Sequence, residues 1–190
     1  MTNGSKTQCS VAGIDYSITG PAICTYTGFL GDFCFQQCRI FYLTKTKKYE
    51  GHFKPNIKGM PFLDYTSEEE RFDQISAWAN RKVKTVKNIL LEDYAFAATG
   101  RVYHIGENTG LLKHKLWANK KNFVTIAPTA LKKFATGKGN ASKDGMYLAF
   151  VKETGINLKM VLGQTEKSQN PSSDIIDAFY LCKYLLLQRS

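Results

Sequence analysis

The stretch that decides the fold is Cys9-Ser10-Val11-Ala12-Gly13-Ile14-Asp15, an apolar run that ends in an acid. A short apolar run bounded by turn residues predicts a buried strand. A carboxylate placed directly after a buried strand costs free energy unless something positive meets it there. Asp15 is also the only acid in the first 31 residues, so it does not belong to a solvated acidic surface. The run therefore predicts a functional carboxylate at the end of a core strand.

Three more carboxylates occupy comparable places later in the chain. Glu92 follows the apolar run Asn88-Ile89-Leu90-Leu91, and Asp174 and Asp177 open the last predicted helix. Each feature alone has an ordinary explanation, because a lone acid after a strand is often a turn residue and an acidic pair at a helix start often compensates the helix dipole. Their joint placement favours four side chains that converge on divalent cations held by oxygen ligands. We expect two Mg²⁺ ions, for which Mn²⁺ substitutes, and phosphodiester hydrolysis of the two-metal kind.

The composition favours a polyanionic substrate. The chain has 190 residues, which predicts one domain over residues 1–190, and its formal net charge is +10 with a pI near 9.3. Such a basic balance is the usual footprint of nucleic-acid binding, although ribosome-associated and membrane-surface proteins share it. The five cysteines are odd in number and lack zinc-ligand spacing, which favours free thiols in a reducing cytoplasm. Because no run of about 18 apolar residues occurs, we expect a soluble cytoplasmic protein without membrane contact.

The order of the predicted elements indicates an α/β fold. Gly- and Pro-rich turns separate the first three apolar runs, and such short connections favour antiparallel pairing. The later strands alternate with helices. The prediction is a five-stranded mixed sheet, with three antiparallel strands and then parallel strands, and with helices on both faces. The predicted strands cover 9–15, 22–27, 33–44, 86–91 and 123–127, an exposed excursion covers 45–65, and the helices cover 66–80, 107–118, 129–134, 144–153 and the residues after Pro171.

A second group of candidate residues is basic or aromatic. Between Lys113 and Lys143 there are eight lysines and no acid. A solubilising surface is the ordinary interpretation of such lysines, but the stretch also holds a Gly-rich turn at 136–143, whose backbone N–H groups can approach a phosphate. Aromatic residues follow Glu92, where they can stack on an unpaired base or pack in the core. The candidate DNA-binding residues are Lys132, Lys133, Lys138, Lys143, Tyr94 and Phe96.

The sequence resembles RuvC-type Holliday junction resolvases, as a phage or otherwise diverged member. The matching segments are Val11-Ala12-Gly13-Ile14-Asp15, the strand ending in Glu92, Thr136-Gly137-Lys138-Gly139-Asn140-Ala141-Ser142-Lys143 and Asp174-Ile175-Ile176-Asp177-Ala178, in the family's order. The resemblance implies a ribonuclease H-like fold, a homodimer and magnesium-dependent symmetric nicking of four-way DNA junctions, in a bacterial or phage-infected cytoplasm. It also implies that Asp15, Glu92, Asp174 and Asp177 bind the metals, and that Lys132 and Lys143 touch phosphates near the scissile bond. Bacterial members carry an aromatic residue where this chain has Ala95, so Tyr94 or Phe96 would act as the wedge in the junction.

Other functions fit parts of the sequence. A ribonuclease H that cuts RNA–DNA hybrids takes its glutamate from a helix, whereas Glu92 ends a predicted strand. Residues 13–20 are also similar to actin-like or sugar-kinase ATP sites, but those proteins need two such domains. A non-catalytic DNA-junction-binding protein would keep the fold, although four carboxylates facing DNA without metals would repel it. For a dimer, the predicted surfaces are the apolar-faced helices at 66–80 and 107–118.

Overall fold

The computed structural model describes residues 8–53, 56–93 and 102–188, which form a mixed sheet with helices on both faces. The sheet order is β4-β5-β3-β2-β1-β6-β7. The strands are β1 (Gln8–Asp15), β2 (Ala22–Phe29), β3 (Arg39–Thr44), β4 (Gly51–Phe53), β5 (Ile57–Pro61), β6 (Asn88–Glu92) and β7 (Asn122–Ile126). The helices are α1 (Glu68–Lys82), α2 (Val102–Ala118), α3 (Pro128–Thr136), α4 (Lys143–Thr154), α5 (Leu158–Val161) and α6 (Ser172–Leu187).

The central strands have the predicted pairing. β1 pairs antiparallel with β2, and β2 antiparallel with β3. β6 then pairs parallel with β1 on its other side, and β7 parallel with β6. The prediction of an antiparallel meander followed by parallel strands is therefore confirmed.

The sheet has seven strands, and the prediction of five was wrong. The two additional strands, β4 and β5, lie in the segment 45–65 that was predicted to be an exposed excursion. β5 pairs parallel with β3, and its Ile57 is buried. Gly59 sits so close to the Tyr42 ring and the Tyr49 carbonyl that a Cβ there would overlap them. A core-facing position without a side chain leaves no apolar signal in the sequence, which is why the strand was missed.

Two other predicted strands differ from the structure. The strand predicted at 33–44 begins only at Arg39, because Leu30–Asp32 and Phe35–Gln37 form 3₁₀ turns. The Asn56 side-chain amide donates to the carbonyls of Phe35 and Cys38, which supports this irregular backbone. β7 was predicted to be buried, but it is the edge strand and Val124 is 55% exposed.

The two faces of the sheet carry separate apolar cores. One core lies under α3, α4 and α6, and the other under α1 and α2. Neighbouring residues of β1 contribute to opposite cores, Val11 to the first and Ala12 to the second, as the alternation of side chains along a strand requires. The apolar part of the buried face of α1 consists of Phe72, Ile75, Trp78 and Ala79.

The start of α1 explains its glutamate run. Ser67 caps the helix by accepting from the Glu70 N–H, and the Glu70 carboxylate accepts in return from the Thr66 N–H at 2.7 Å. Glu70 thus stabilises the first turn of the helix. The five cysteines form no disulfide among the described residues, and Cys24, Cys38 and Cys182 are buried. Within the described ranges, no helix combines the length and apolar character that crossing a membrane requires.

Candidate active site

Asp15 and Glu92 end two neighbouring parallel strands at the same level of the sheet. β1 pairs with β6 through Ile14 and Leu91, the residues directly before the two acids. Neighbouring strands lie about 4.8 Å apart, so the two acids start side by side. Ile14 and Leu91 point into the core under α1 and α2. Because side chains alternate along a strand, Asp15 and Glu92 point to the opposite face, which α6 covers.

A single glycine lets α6 bring the other two acids to this edge. A Cβ at Gly13 would overlap the Ala178 carbonyl oxygen and the Cys182 amide nitrogen, so the helix backbone lies directly on β1. From Gly13 to Asp15 the strand rises about 6.6 Å, and from Ala178 back to Asp174 the helix spans about 6 Å. The first turn of α6, with Asp174 and Asp177, therefore lies over the end of β1.

The four carboxyls are close enough to perturb one another. Burial raises the pKa of Asp15 well above its ordinary value, and the charges of Asp174, Asp177 and Glu92 raise it further. Lys143 acts in the opposite direction. The structure thus brings together the four acids singled out in the sequence, while their role as metal ligands stays a prediction.

The pKa values of the other three acids are also raised. Burial raises the pKa of Glu92 to about 7, with a contribution from Asp177 and an opposing one from Lys132. Burial raises the pKa of Asp174 to about 7 and that of Asp177 to about 6, against the opposing charge of Lys143 in both cases. Carboxyls with pKa values near neutrality are typical of functional sites. A bound cation would favour their charged form.

The donor set fits a hard divalent cation. Asp174 is only 8% exposed, and its Oδ2 atom is buried without a hydrogen-bond partner, although buried polar atoms nearly always have one. An unpartnered carboxylate oxygen among three other carboxylates is a suitable ligand for Mg²⁺. Among the described residues, no three Asp, Glu, His or Cys side chains form a ready-made metal cluster. The fit therefore rests on donor chemistry and burial.

A small polar hollow beside Asp174 was not identified from the sequence. It measures about 160 Å³ and is lined in part by Gly20, Thr44, Lys45 and Asn170. A Cβ at Gly20 would lie 2.8 Å from Asp174 Oδ2, so the absence of a side chain there keeps the space open. The available signal was the polar run Thr44-Lys45-Thr46, which begins at the last residue of β3, as Asp15 stands at the last residue of β1.

Two of the four candidate lysines lie beside the carboxylates. Lys143 is the first residue of α4, directly after Ser142, whose side chain caps the helix by accepting from the Gly145 N–H. Its charge lowers the pKa of Asp15, Asp174 and Asp177. Lys132, on α3, acts in the same way on Glu92 and Asp177. Both lysines are thus positioned to contact a phosphate that approaches the acids.

The remaining candidate DNA-binding residues are placed differently. Lys133 and Lys138 are exposed, and neither is among the charges that perturb the four carboxyls. Lys138 lines a separate hollow of about 850 Å³ along α4. Tyr94 and Phe96 lie outside the described residues, so the predicted wedge in the junction stays a prediction.

Solved structures with a similar fold include RuvC and a viral resolvase. RuvC from Thermus thermophilus matches with a TM-score of 0.59 and 17% identity, over 95% of this chain and 95% of that chain. The same protein in complex with a Holliday junction substrate matches with a TM-score of 0.61 and 15% identity, over 95% of this chain and 96% of that chain. The chain has the RuvC fold.

A viral protein shares the RuvC fold as well. The fowlpox virus resolvase, solved with substrate Holliday junction DNA, matches with a TM-score of 0.51 and 13% identity, over 95% of this chain and 98% of that chain. No known family model and no curated protein matches the sequence. At these identities the likeness is one of fold, and the function has to be argued from the site.

Proposed function

We propose that this protein is a metal-dependent endonuclease that cuts branched DNA, and four-way junctions in particular, by paired symmetric nicks. The observation that carries the proposal is the convergence of Asp15, Glu92, Asp174 and Asp177 at one edge of the sheet. The fold adds support, because similar structures from a bacterium and a virus are Holliday junction resolvases.

The four acids would hold Mg²⁺, and two such ions would activate a water and stabilise the leaving oxygen. The chain's own residues hold and orient the substrate around them. Lys143 and Lys132 would bind the phosphate to be cut, because they are the cations next to the acids. Glu92 ends a strand rather than lying on a helix, which favours a junction resolvase over a ribonuclease H that acts on RNA–DNA hybrids.

A homodimer would match the two-fold symmetry of a four-way junction. The apolar faces of the helices at 66–80 and 107–118 were predicted as the dimer surfaces, and this was wrong, because Ile75 and Trp78 of α1 and Leu112 and Leu116 of α2 are buried in the chain's own core. The outer face of α2 offers a better surface, with an exposed stripe of Tyr103, Glu107, Gly110, His114 and Trp117 at helical spacing. A glycine inside a helix costs about 1 kcal/mol relative to alanine, and a Cβ at Gly110 would meet no atom within 4 Å among the described residues. We propose that this stripe faces a second copy.

The function is tested by incubating the protein with four-way, three-way, flap and linear duplex DNA and with an RNA–DNA hybrid, with and without Mg²⁺. We expect Mg²⁺-dependent, symmetric cutting of the four-way junction. Asp15→Asn should abolish cutting and leave junction binding equal or tighter, because it removes a metal ligand and a charge that repels phosphate. Asp64→Asn, at an exposed acid, is the matched control. Undiminished cutting by Asp15→Asn would disprove the site, and equal cutting of linear duplex would indicate a general nuclease.

The dimer is tested separately by sedimentation at micromolar concentration. Trp117 is 70% exposed on the α2 stripe, whereas Leu148 is 68% exposed on α4. We expect Trp117→Glu to produce monomers and Leu148→Glu to leave the dimer intact. A monomeric wild-type protein would refute the proposed assembly.

A further inference from the structure

A basic groove lies on the face of the sheet opposite the carboxylates. We call it the β3–β5 groove, and it is an open hollow of about 600 Å³ lined by Arg39, Phe41, His52, Lys58 and Lys82, together with polar and apolar neighbours. Arg39 and Phe41 come from β3, Lys58 from β5 and Lys82 from the end of α1. No Asp or Glu is among the described residues that line it.

The Phe41 ring positions two of the cations. The Lys82 Nζ atom lies 4.7 Å from the ring centroid, and the Arg39 guanidinium carbon lies 5.6 Å from it. Such contacts orient a cation without neutralising its charge. Lys58 pairs with Phe41 across the β3–β5 ladder, so its side chain emerges on the same face.

The helix dipole accounts for only part of this cluster. Arg81 and Lys82 stand in the last turn of α1, where the dipole favours cations. Arg39 and Lys58 lie on two strands, where no helix dipole favours a cation. Burial lowers the pKa of Lys82, and Lys58, Arg81 and Arg39 lower it further. The cations therefore repel one another, and an anion in the groove would relieve that repulsion.

The groove is separated from the proposed active site. Arg39 pairs with Thr25 and Thr25 with Ala12, so Arg39 stands two strands away from β1, about 10 Å. Asp15 lies three residues beyond Ala12, about another 10 Å along the strand. Arg39, Phe41 and Lys58 point to the α1 face, whereas Asp15 points to the α6 face. A phosphate in the groove thus cannot be the phosphate beside the acids.

We propose that the β3–β5 groove binds the phosphate backbone of a second arm of the branched DNA, away from the strand that is cut. This inference rests on the proposed function, because it assigns another part of the same substrate. Several features favour a polyanion over a small anion. The cations come from three elements along an open hollow, and Arg39 and Lys58 are diagonal neighbours about 7–8 Å apart, so each can meet a different phosphate.

The test compares Lys58→Gln and Lys82→Gln with the control Lys87→Gln, which removes one charge from an exposed lysine outside both sites. Binding to a four-way junction is measured by fluorescence anisotropy in a chelator at several salt concentrations. Each groove variant should lower the log–log salt slope by about 0.9. The affinity gap between wild type and the double variant should therefore shrink about tenfold between about 50 and about 200 mM salt. Lys87→Gln should leave the slope unchanged.

A junction with one pair of opposed arms shortened to a few base pairs supplies the second readout. Wild type and the double variant should bind it alike, because the groove then has no arm to hold, and turnover at saturating substrate should be equal in both. Normal binding by the double variant would overturn the proposal, as would a gap that persists on short arms or that vanishes on adding inorganic phosphate at constant ionic strength. If the groove variants weaken DNA binding in a salt-dependent way but the protein cuts no substrate, the proposed function is refuted. The proposed role of the groove in binding DNA would still hold.

Discussion

Removing the charge of Asp174 should stabilise the cation-free protein, and increasingly so as the pH rises. Burial raises the pKa of this carboxyl to about 7 from an ordinary value of 3.8, although Lys143 opposes the shift. An unfolded chain ionises the same group near 3.8. The folded chain therefore binds more protons between these two values, so its stability falls as the pH rises through this window.

The magnitude follows from the width of the window. A rise from 3.8 to about 7 corresponds to about 4 kcal/mol of lost stability at about pH 8, at about 1.36 kcal/mol per pKa unit. At about pH 5 only the first part of the window has been crossed, and the loss is about 2 kcal/mol. Asp174→Asn removes the part of the pH dependence of stability that comes from this carboxyl. The free-energy cost of burying the new amide is the same at both pH values. The variant should thus gain roughly 2–3 kcal/mol on wild type between about pH 5 and about pH 8.

Urea unfolding in the presence of a chelator measures this difference directly. Asp64→Asn makes the same chemical change at an exposed acid, and its stability relative to wild type should not depend on pH in this range. If Asp174→Asn differed from wild type by the same amount at both pH values, the carboxyl would be ionised normally in the folded chain. The burial of Asp174 would then give no support to a cation-binding site.

The remaining predictions concern the metal, the phosphate and the packing. Mg²⁺ should raise the melting temperature more at about pH 8 than at about pH 6, because protons compete for the acids at the lower value; an equal rise would contradict this. Lys143→Ala should lower turnover by about 10²–10³-fold, more than it weakens binding, as single-turnover kinetics and anisotropy would show; normal turnover would make Lys143 a surface residue. Gly13→Ala should destabilise by about 3 kcal/mol or more in urea unfolding, because its Cβ would overlap the α6 backbone. Gly145→Ala, whose Cβ would have ordinary contacts at 3.6 Å, should be neutral or stabilising.

The acidic edge could be predicted because its geometry follows from short-range rules. A strand alternates its side chains with period two, so the last residue of a buried strand has a fixed face and a fixed end of the sheet. Asp15 and Glu92 obey this rule on parallel neighbours, and their meeting needs only the register of β1 and β6. The position of Asp174 depends in addition on how closely α6 approaches Gly13, which a sequence indicates only through the glycine itself.

The β3–β5 groove could not be predicted because no local pattern contains it. Arg39 was placed inside a longer strand, Lys58 inside an exposed excursion and Lys82 just beyond a predicted helix. They meet only because β5 pairs parallel with β3 and α1 ends above Phe41. The sequence hides the pairing of β5 because Gly59 has no side chain there. The Tyr42 ring occupies the space that a Cβ at this position would need. Long-range pairing of a short polar strand is the information that one sequence lacks.

The charge distribution separates binding of DNA from its cleavage. The chain carries a net charge of +10, yet the edge that would cut DNA holds four mutually repelling carboxyls. Without a cation, a phosphate at that edge is opposed by the acids and attracted mainly by Lys132 and Lys143, whereas no acid lies among the described residues that line the groove. The protein should therefore bind DNA without metal, held through its lysines and arginines, and require the cation for the scissile phosphate to settle among the acids. This is why neutralising Asp15 is expected to end cleavage without weakening the complex.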